Sequence, residues 1–116
     1  VDELSPQARH QLEQFQQAQQ QAQALAAQRA QLQSFITEIE EALEELSKVG
    51  EETPVYKAVG RLLIKRGKGE MEKELREEKE TLELRVKVLS RQEERVVERI
   101  QEIRQKLQEM LKASAK

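Results

Sequence analysis

Residues 55–66 read Val55-Tyr56-Lys57-Ala58-Val59-Gly60-Arg61-Leu62-Leu63-Ile64-Lys65-Arg66. β-Branched and aromatic residues gather around one central glycine. This is the pattern of two short strands joined by a tight turn, with Gly60 supplying the positive φ that such a turn needs. Thr53-Pro54 separates the segment from the long polar stretch on its N-terminal side. Gly67-Lys68-Gly69 separates it from the stretch on its C-terminal side and reads as a hinge. With a two-residue turn at Gly60-Arg61, Val59, Leu62 and Ile64 share one face, and Tyr56, Ala58 and Leu63 share the other. Both faces are partly apolar and both edges are unpaired. A lone two-stranded hairpin is marginal in water, and open edges invite pairing. The hairpin is therefore expected to meet hairpins of other chains through Val55, Tyr56, Ala58, Val59, Gly60, Leu62, Leu63 and Ile64.

On either side lie two long stretches with no breaker beyond Pro6. From Leu4 to Leu46 a three-then-four spacing runs through Leu4, Ala8, Gln11, Phe15, Ala18, Ala22, Leu25, Arg29, Leu32, Ile36, Ile39, Leu43 and Leu46. The same spacing recurs at Leu75, Lys79, Leu82, Val86, Leu89, Glu93, Val96, Ile100, Ile103, Leu107 and Met110. A sustained 3.5-residue repeat means a helix with one narrow apolar seam facing a partner. The first helix is expected over about 5–49, with Ser5 as N-cap, Pro6 at the first helical position, Lys48 in the last turn, and Gly50 taking the left-handed conformation past its end. The hairpin is expected over about 54–66. The second helix is expected over about 70–113, with Glu70 and Glu72 at the positive end of its dipole. Matched lengths and a short connection imply that the seams pack on each other antiparallel. The fold class is mainly α: a long antiparallel two-helix coiled coil with one β-hairpin at the bend, read as one domain over 1–116.

Folding the chain about its midpoint brings Arg29 and Glu93, two charged seam residues, to within about one helical turn. Either they pair, because an unpaired charge there is costly, or both side chains reach outward to water.

Composition narrows the function. Charged residues are 36% and aromatics 3%, too few bulky groups for a rounded core but suited to long helices. A net charge of −2 gives no reason to expect nucleic acid as the main partner. Cysteine is absent, so no thiol nucleophile or Cys-based metal site is available. No stretch is apolar enough for a membrane span. Val1–Gln7 is acidic and polar, unlike a signal peptide, so a cytoplasmic protein is expected. His10 has no Cys or acidic cluster at metal spacing. Gly67-Lys68-Gly69 lacks the spacing of a phosphate loop. The many Glu residues read as solvated helix faces with Lys and Arg at i,i+4. Neither an enzyme nor a cofactor is expected.

A helix, a hairpin reading V-Y-K-x-V-G-R-L-L-I-K, and a second equal helix resemble the β class of the prefoldin family, archaeal in character. The likeness covers the whole chain. Its most specific parts are Val55-Tyr56-Lys57, Gly60 and Leu62-Leu63-Ile64-Lys65. The Gln-rich opening, Ala42-Leu43-Glu44-Glu45-Leu46 and Arg91-Gln92-Glu93-Glu94-Arg95 support it. The single hairpin points to the β rather than the α class. The resemblance implies a hexamer of two α and four β subunits, in which hairpins join into an inter-subunit β-barrel and the coils hang from it. It further implies that the coil ends hold unfolded proteins without ATP and pass them to a group II chaperonin.

Between Pro6 and Ser34 only Arg9, Glu13 and Arg29 are charged, while twelve residues are Gln. The client-holding residues expected at the ends are Leu4, Leu12, Phe15, Leu107, Met110 and Leu111. Leu12 and Leu111 lie just off the seam and are expected to be exposed. Phe15 and Leu107 also read as ordinary seam residues. Weak apolar contacts on several arms would add through avidity. The second reading is a structural coiled-coil adaptor that docks one folded partner. The basic run Lys57, Arg61, Lys65, Arg66 and Lys68 reads as protection of the strand edges and complementarity to a less basic partner subunit or the chaperonin; the third reading, nucleic-acid binding through it, predicts strongly salt-dependent retention on DNA.

Overall fold

The computed structural model of the chain describes residues 4–114. Part of the polar opening, Val1 to Glu3, lies outside the described residues, as do Ala115 and Lys116. The elements are α1 (Pro6–Ser47), β1 (Val55–Val59), β2 (Leu62–Arg66) and α2 (Lys68–Ser114).

The start of α1 is capped by Ser5. Its Oγ accepts the Ala8 N–H at 3.1 Å and its carbonyl accepts the Arg9 N–H at 3.0 Å, while Pro6 occupies a first-turn position where no donor is needed. The other end differs from expectation. Gly50 does not take the left-handed conformation, since Gly60 is the glycine with positive φ among the described residues. Instead the Lys48 and Val49 N–H groups turn back to the Glu45 and Leu46 carbonyls at 3.1 and 3.3 Å, a tightened last turn that closes the helix without a left-handed residue. The Gly50 carbonyl then accepts the Thr53 N–H at 3.1 Å.

Helix α2 begins two residues before the expected position. The Met71 N–H donates to the Gly67 carbonyl at 3.0 Å, so Lys68 and Gly69 belong to the first turn rather than to a hinge. Gly69 inside a helix costs roughly 0.5–1 kcal/mol relative to Ala. A reason the helix still extends back is visible at Lys68, whose ammonium donates to the Val49 carbonyl at 2.7 Å. That bond satisfies an orphan carbonyl near the end of α1 and draws the positive charge away from the start of α2.

The chain divides into two units, each fed by both helices. In Ala30–Lys87, Leu32, Ile36, Ile39 and Leu82 are buried. The Lys79 ammonium reaches Glu40 at 3.6 Å and Lys68 reaches Val49, so here the helices run in opposite directions. In the described part of Val1–Arg29 and Val88–Lys116, Ala18, Val96 and Ile103 form a buried cluster, with Phe15, Ala22, Leu25, Ile100 and Leu107 packed against it. Arg99 Nη2 donates to Gln14 Oε1 at 2.6 Å and Arg29 meets Glu93, which again makes the helices antiparallel. Every position of the three-then-four repeat in both helices is buried or half-buried. The seam read from sequence is the seam of each unit.

Candidate functional site

The hairpin pairs Val59 with Leu62, Ala58 with Leu63, Lys57 with Ile64, Tyr56 with Lys65 and Val55 with Arg66. Gly60 has φ +58° and Arg61 does not share the positive φ, the pattern of a II′ turn, whose twist suits the flanking strands. Residues directly opposite one another share a face. One face therefore carries Val55, Lys57, Val59, Leu62, Ile64 and Arg66, and the other Tyr56, Ala58, Leu63 and Lys65.

Ion pairs tie this hairpin to α2. Glu74 holds both strands with one carboxylate: Oε2 accepts from the Lys57 ammonium of β1 at 3.2 Å, and Oε1 lies 3.4 Å from Arg66 Nη1 of β2. The same Arg66 nitrogen reaches Glu70 Oε1 at 2.9 Å. The apolar side chains are left largely in water. Leu63 is 72% exposed and Leu62 is 65% exposed, on opposite faces, and Tyr56, Ala58, Val59 and Ile64 are exposed too. Val55, near the helices, is half-buried. Large apolar residues are thus exposed on both faces of one small sheet.

The six end residues separate into two kinds. Phe15 and Leu107 pack on the Ala18–Val96–Ile103 cluster, and Leu4 and Met110 are half-buried. Leu12 and Leu111 are 38% and 50% exposed, away from the seam.

Arg29 and Glu93 pair. Arg29 Nε lies 2.5 Å from Glu93 Oε1, and Nη2 lies 3.3 Å from Oε2, a two-pronged grip. The hydrogen bond to Glu93, and then its negative charge, raise the Arg29 pKa above the ordinary guanidinium value.

The sequence reading missed Glu74, Phe35 and Val97. Glu74 was one of many helix-face acids, and nothing local marks it as the one lying under the hairpin. Phe35 and Val97 are exposed large apolar residues beside the seam, visible as bulky residues adjacent to Ile36 and Val96. Among the described residues no group of His, Cys, Asp or Glu is placed to hold a metal, and no helix is long and apolar enough to cross a membrane.

The family model for prefoldin subunits matches residues 9–114 of the chain. The chain is 53% identical over 115 residues to the prefoldin subunit beta of Archaeoglobus fulgidus, covering 99% of each. It is 43% identical over 111 residues to that of Methanosarcina acetivorans, covering 96% of this chain and 95% of the relative. The crystal structure of the prefoldin beta subunit from Thermococcus strain KS-1 matches with a TM-score of 0.87 at 35% identity, over 94% of this chain and 96% of that one.

Proposed function

Because the chain belongs to the prefoldin family, a family of chaperone subunits that assemble into hetero-oligomers, we propose that it works as a β subunit in a hexamer of two α and four β chains. In this reading the complex is cytoplasmic and needs no ATP. It holds unfolded proteins at the coil ends and delivers them to a group II chaperonin. Residues 1–116 act as one prefoldin-like domain, whose hairpin joins an inter-subunit barrel.

The observation that carries the assembly half is Leu62 and Leu63: among the described residues the most exposed large apolar side chains lie on opposite faces of a hairpin tied to α2 by ion pairs. A two-stranded sheet apolar on both faces is marginal in water until further strands or helices cover it. The client half is supported by Leu12 and Leu111, exposed on otherwise Gln-rich or charged surface. Such scattered apolar contacts suit clients of no fixed shape.

The deciding experiment is suppression of aggregation of two unrelated denatured proteins without ATP, by the chain combined with an archaeal α subunit. Protection of both is expected. Protection of neither, with stable binding of a single folded protein instead, would favour a structural adaptor.

A further inference from the structure

We propose that an unfolded client lies along one flank of the coil, reaching in from Leu12 and Leu111 to a second contact point at Val97, where Glu94 and Glu98 select an apolar residue next to a lysine or arginine. This rests on the reading that the coil ends hold unfolded proteins, and it adds a side, a length and a preferred client chemistry.

The unit that carries the helix ends, up to Arg29 and from Val88 onwards, has two unlike flanks. Gln14 and Arg99 directly precede the seam residues Phe15 and Ile100, and they meet through the 2.6 Å bond from Arg99 Nη2 to Gln14 Oε1. Positions just before these seam residues therefore share one flank of the antiparallel pair. That flank is polar, with an open groove lined by His10, Gln14, Arg99, Glu102 and Lys106. Leu12, Leu111 and Val97 directly follow the seam residues Gln11, Met110 and Val96, which puts all three on the opposite flank. They are 38%, 50% and 45% exposed.

Val97 lies in a groove of its own on that flank, with Ser90, Glu94, Glu98, Gln101 and the Arg29–Glu93 pair. Its charge is one-signed. Glu93 occupies Arg29, whereas Glu94 and Glu98 are exposed and make no ion pair among the described residues. The two acids stand one helical turn apart, a like-charge spacing that costs a few tenths of a kcal/mol in an isolated helix and that a cation between them relieves. A side chain that suits this groove therefore brings an apolar group for Val97 and a neighbouring positive charge. Leu111 lies fourteen residues beyond Val97 on α2, about 21 Å at 1.5 Å per residue. An extended segment spans that distance in about six residues. A folded partner offers such a strand only at an open edge, whereas an unfolded chain offers it anywhere.

The test uses the chain assembled with an archaeal α subunit. A photo-crosslinking p-benzoylphenylalanine replaces Leu12, Val97 or Lys106 in turn, and a denatured test protein is the client. Crosslinks to the client are expected from positions 12 and 97 and not from 106 on the polar flank. Binding is then measured with a fluorescent peptide whose two leucines are spaced to reach both contact points, one form carrying lysine beside the inner leucine and the other glutamate. Val97→Gln should weaken both forms at least about threefold. Glu94→Gln/Glu98→Gln should weaken the lysine form about two- to fivefold and not the glutamate form. Glu102→Gln on the polar flank should change neither, and unchanged thermal melts are the folding control.

Equal crosslinking from 97 and 106 would overturn the one-sided path. Crosslinks from 97 to another subunit, or none, would overturn the inner contact point, and equal losses for the two peptides would overturn the role of the acids. Crosslinking from 12 with protection of the client intact confines each of these failures to this proposal. Loss of protection and of crosslinking at 12 would overturn the chaperone reading with it.

Discussion

Arg29 of α1 grips Glu93 of α2 with two nitrogens, Nε at 2.5 Å and Nη2 at 3.3 Å from the two carboxylate oxygens. Each occupies a seam position, where the repeat mostly places apolar residues, so the two interrupt the apolar run at one shared level. Charge reversal at either site should lower the thermal midpoint by a few degrees, by placing like charges face to face across the seam. Arg29→Glu combined with Glu93→Arg should recover much of the loss. A double-mutant cycle on the melting data checks it; additive losses would mean the pair contributes no mutual stabilisation. The pH behaviour is set by the raised Arg29 pKa. A raised value means the charged form is favoured in the fold. This contribution is therefore fully present below the ordinary guanidinium pKa and fades only as pH rises through the raised one. Across neutral pH the guanidinium side of the pair should add no slope to stability.

Glu74 should govern how firmly the hairpin is seated. Its two oxygens hold different strands, so Glu74→Gln weakens two contacts at once while leaving both helices intact. The contacts are partly solvated, and exposed ion pairs are each worth about 0.2–1 kcal/mol. The expected loss is thus about 1 kcal/mol in hairpin opening, or roughly fivefold faster amide exchange in β1 and β2. Exchange in the helices should not change. Acceleration spread equally over helices and hairpin would show that Glu74 supports the fold at large rather than seating the strands.

Gly60 is replaceable in volume but not in conformation. A Cβ added there would meet nothing within 4 Å, yet φ is +58°. Gly60→Val should therefore cost at least about 1–2 kcal/mol through backbone strain alone. Asn at this position, which tolerates the left-handed region, should cost less. Both variants should keep their helical circular dichroism, and the Val form should bind other subunits more weakly. Equal behaviour of the Val and Asn variants would argue against conformation as the cause.

These residues also show what a sequence can and cannot disclose. The seam was legible throughout because the 3.5 period is set by local spacing, and each position it named is covered in the structure. The hairpin was legible because Gly60 stands alone among β-formers, and the register is dictated by a two-residue turn. Helix ends were read less well. Gly50 resembles a left-handed terminator, but the chain closes with tight i→i−3 bonds first. Gly67-Lys68-Gly69 resembles a hinge, but the bond from Lys68 to Val49 accompanies its recruitment into α2. Glu74 was indistinguishable from other helix-face acids. Its surroundings arise from how the hairpin lies over α2, and no periodicity encodes that. The Arg29–Glu93 level could be estimated by folding the chain at its midpoint, but pairing and outward extension give the same pattern in sequence.

The end residues make a contrast that separates packing from binding. Phe15 and Leu107 lie against the Ala18–Val96–Ile103 cluster. Phe15→Ala or Leu107→Ala should thus lower stability by about 1–3 kcal/mol, below the range for fully buried sites because both are only half-covered. Leu12 and Leu111 are exposed off the seam, so Leu12→Gln and Leu111→Gln should shift stability by no more than about 0.5 kcal/mol. In return, they should weaken protection of a denatured client, and the double variant should lose more than either single one because weak contacts on several arms multiply. Thermal melts and aggregation assays on the same preparations separate the two effects. If the Leu12 and Leu111 variants melt normally and protect normally, these side chains are not where clients are held.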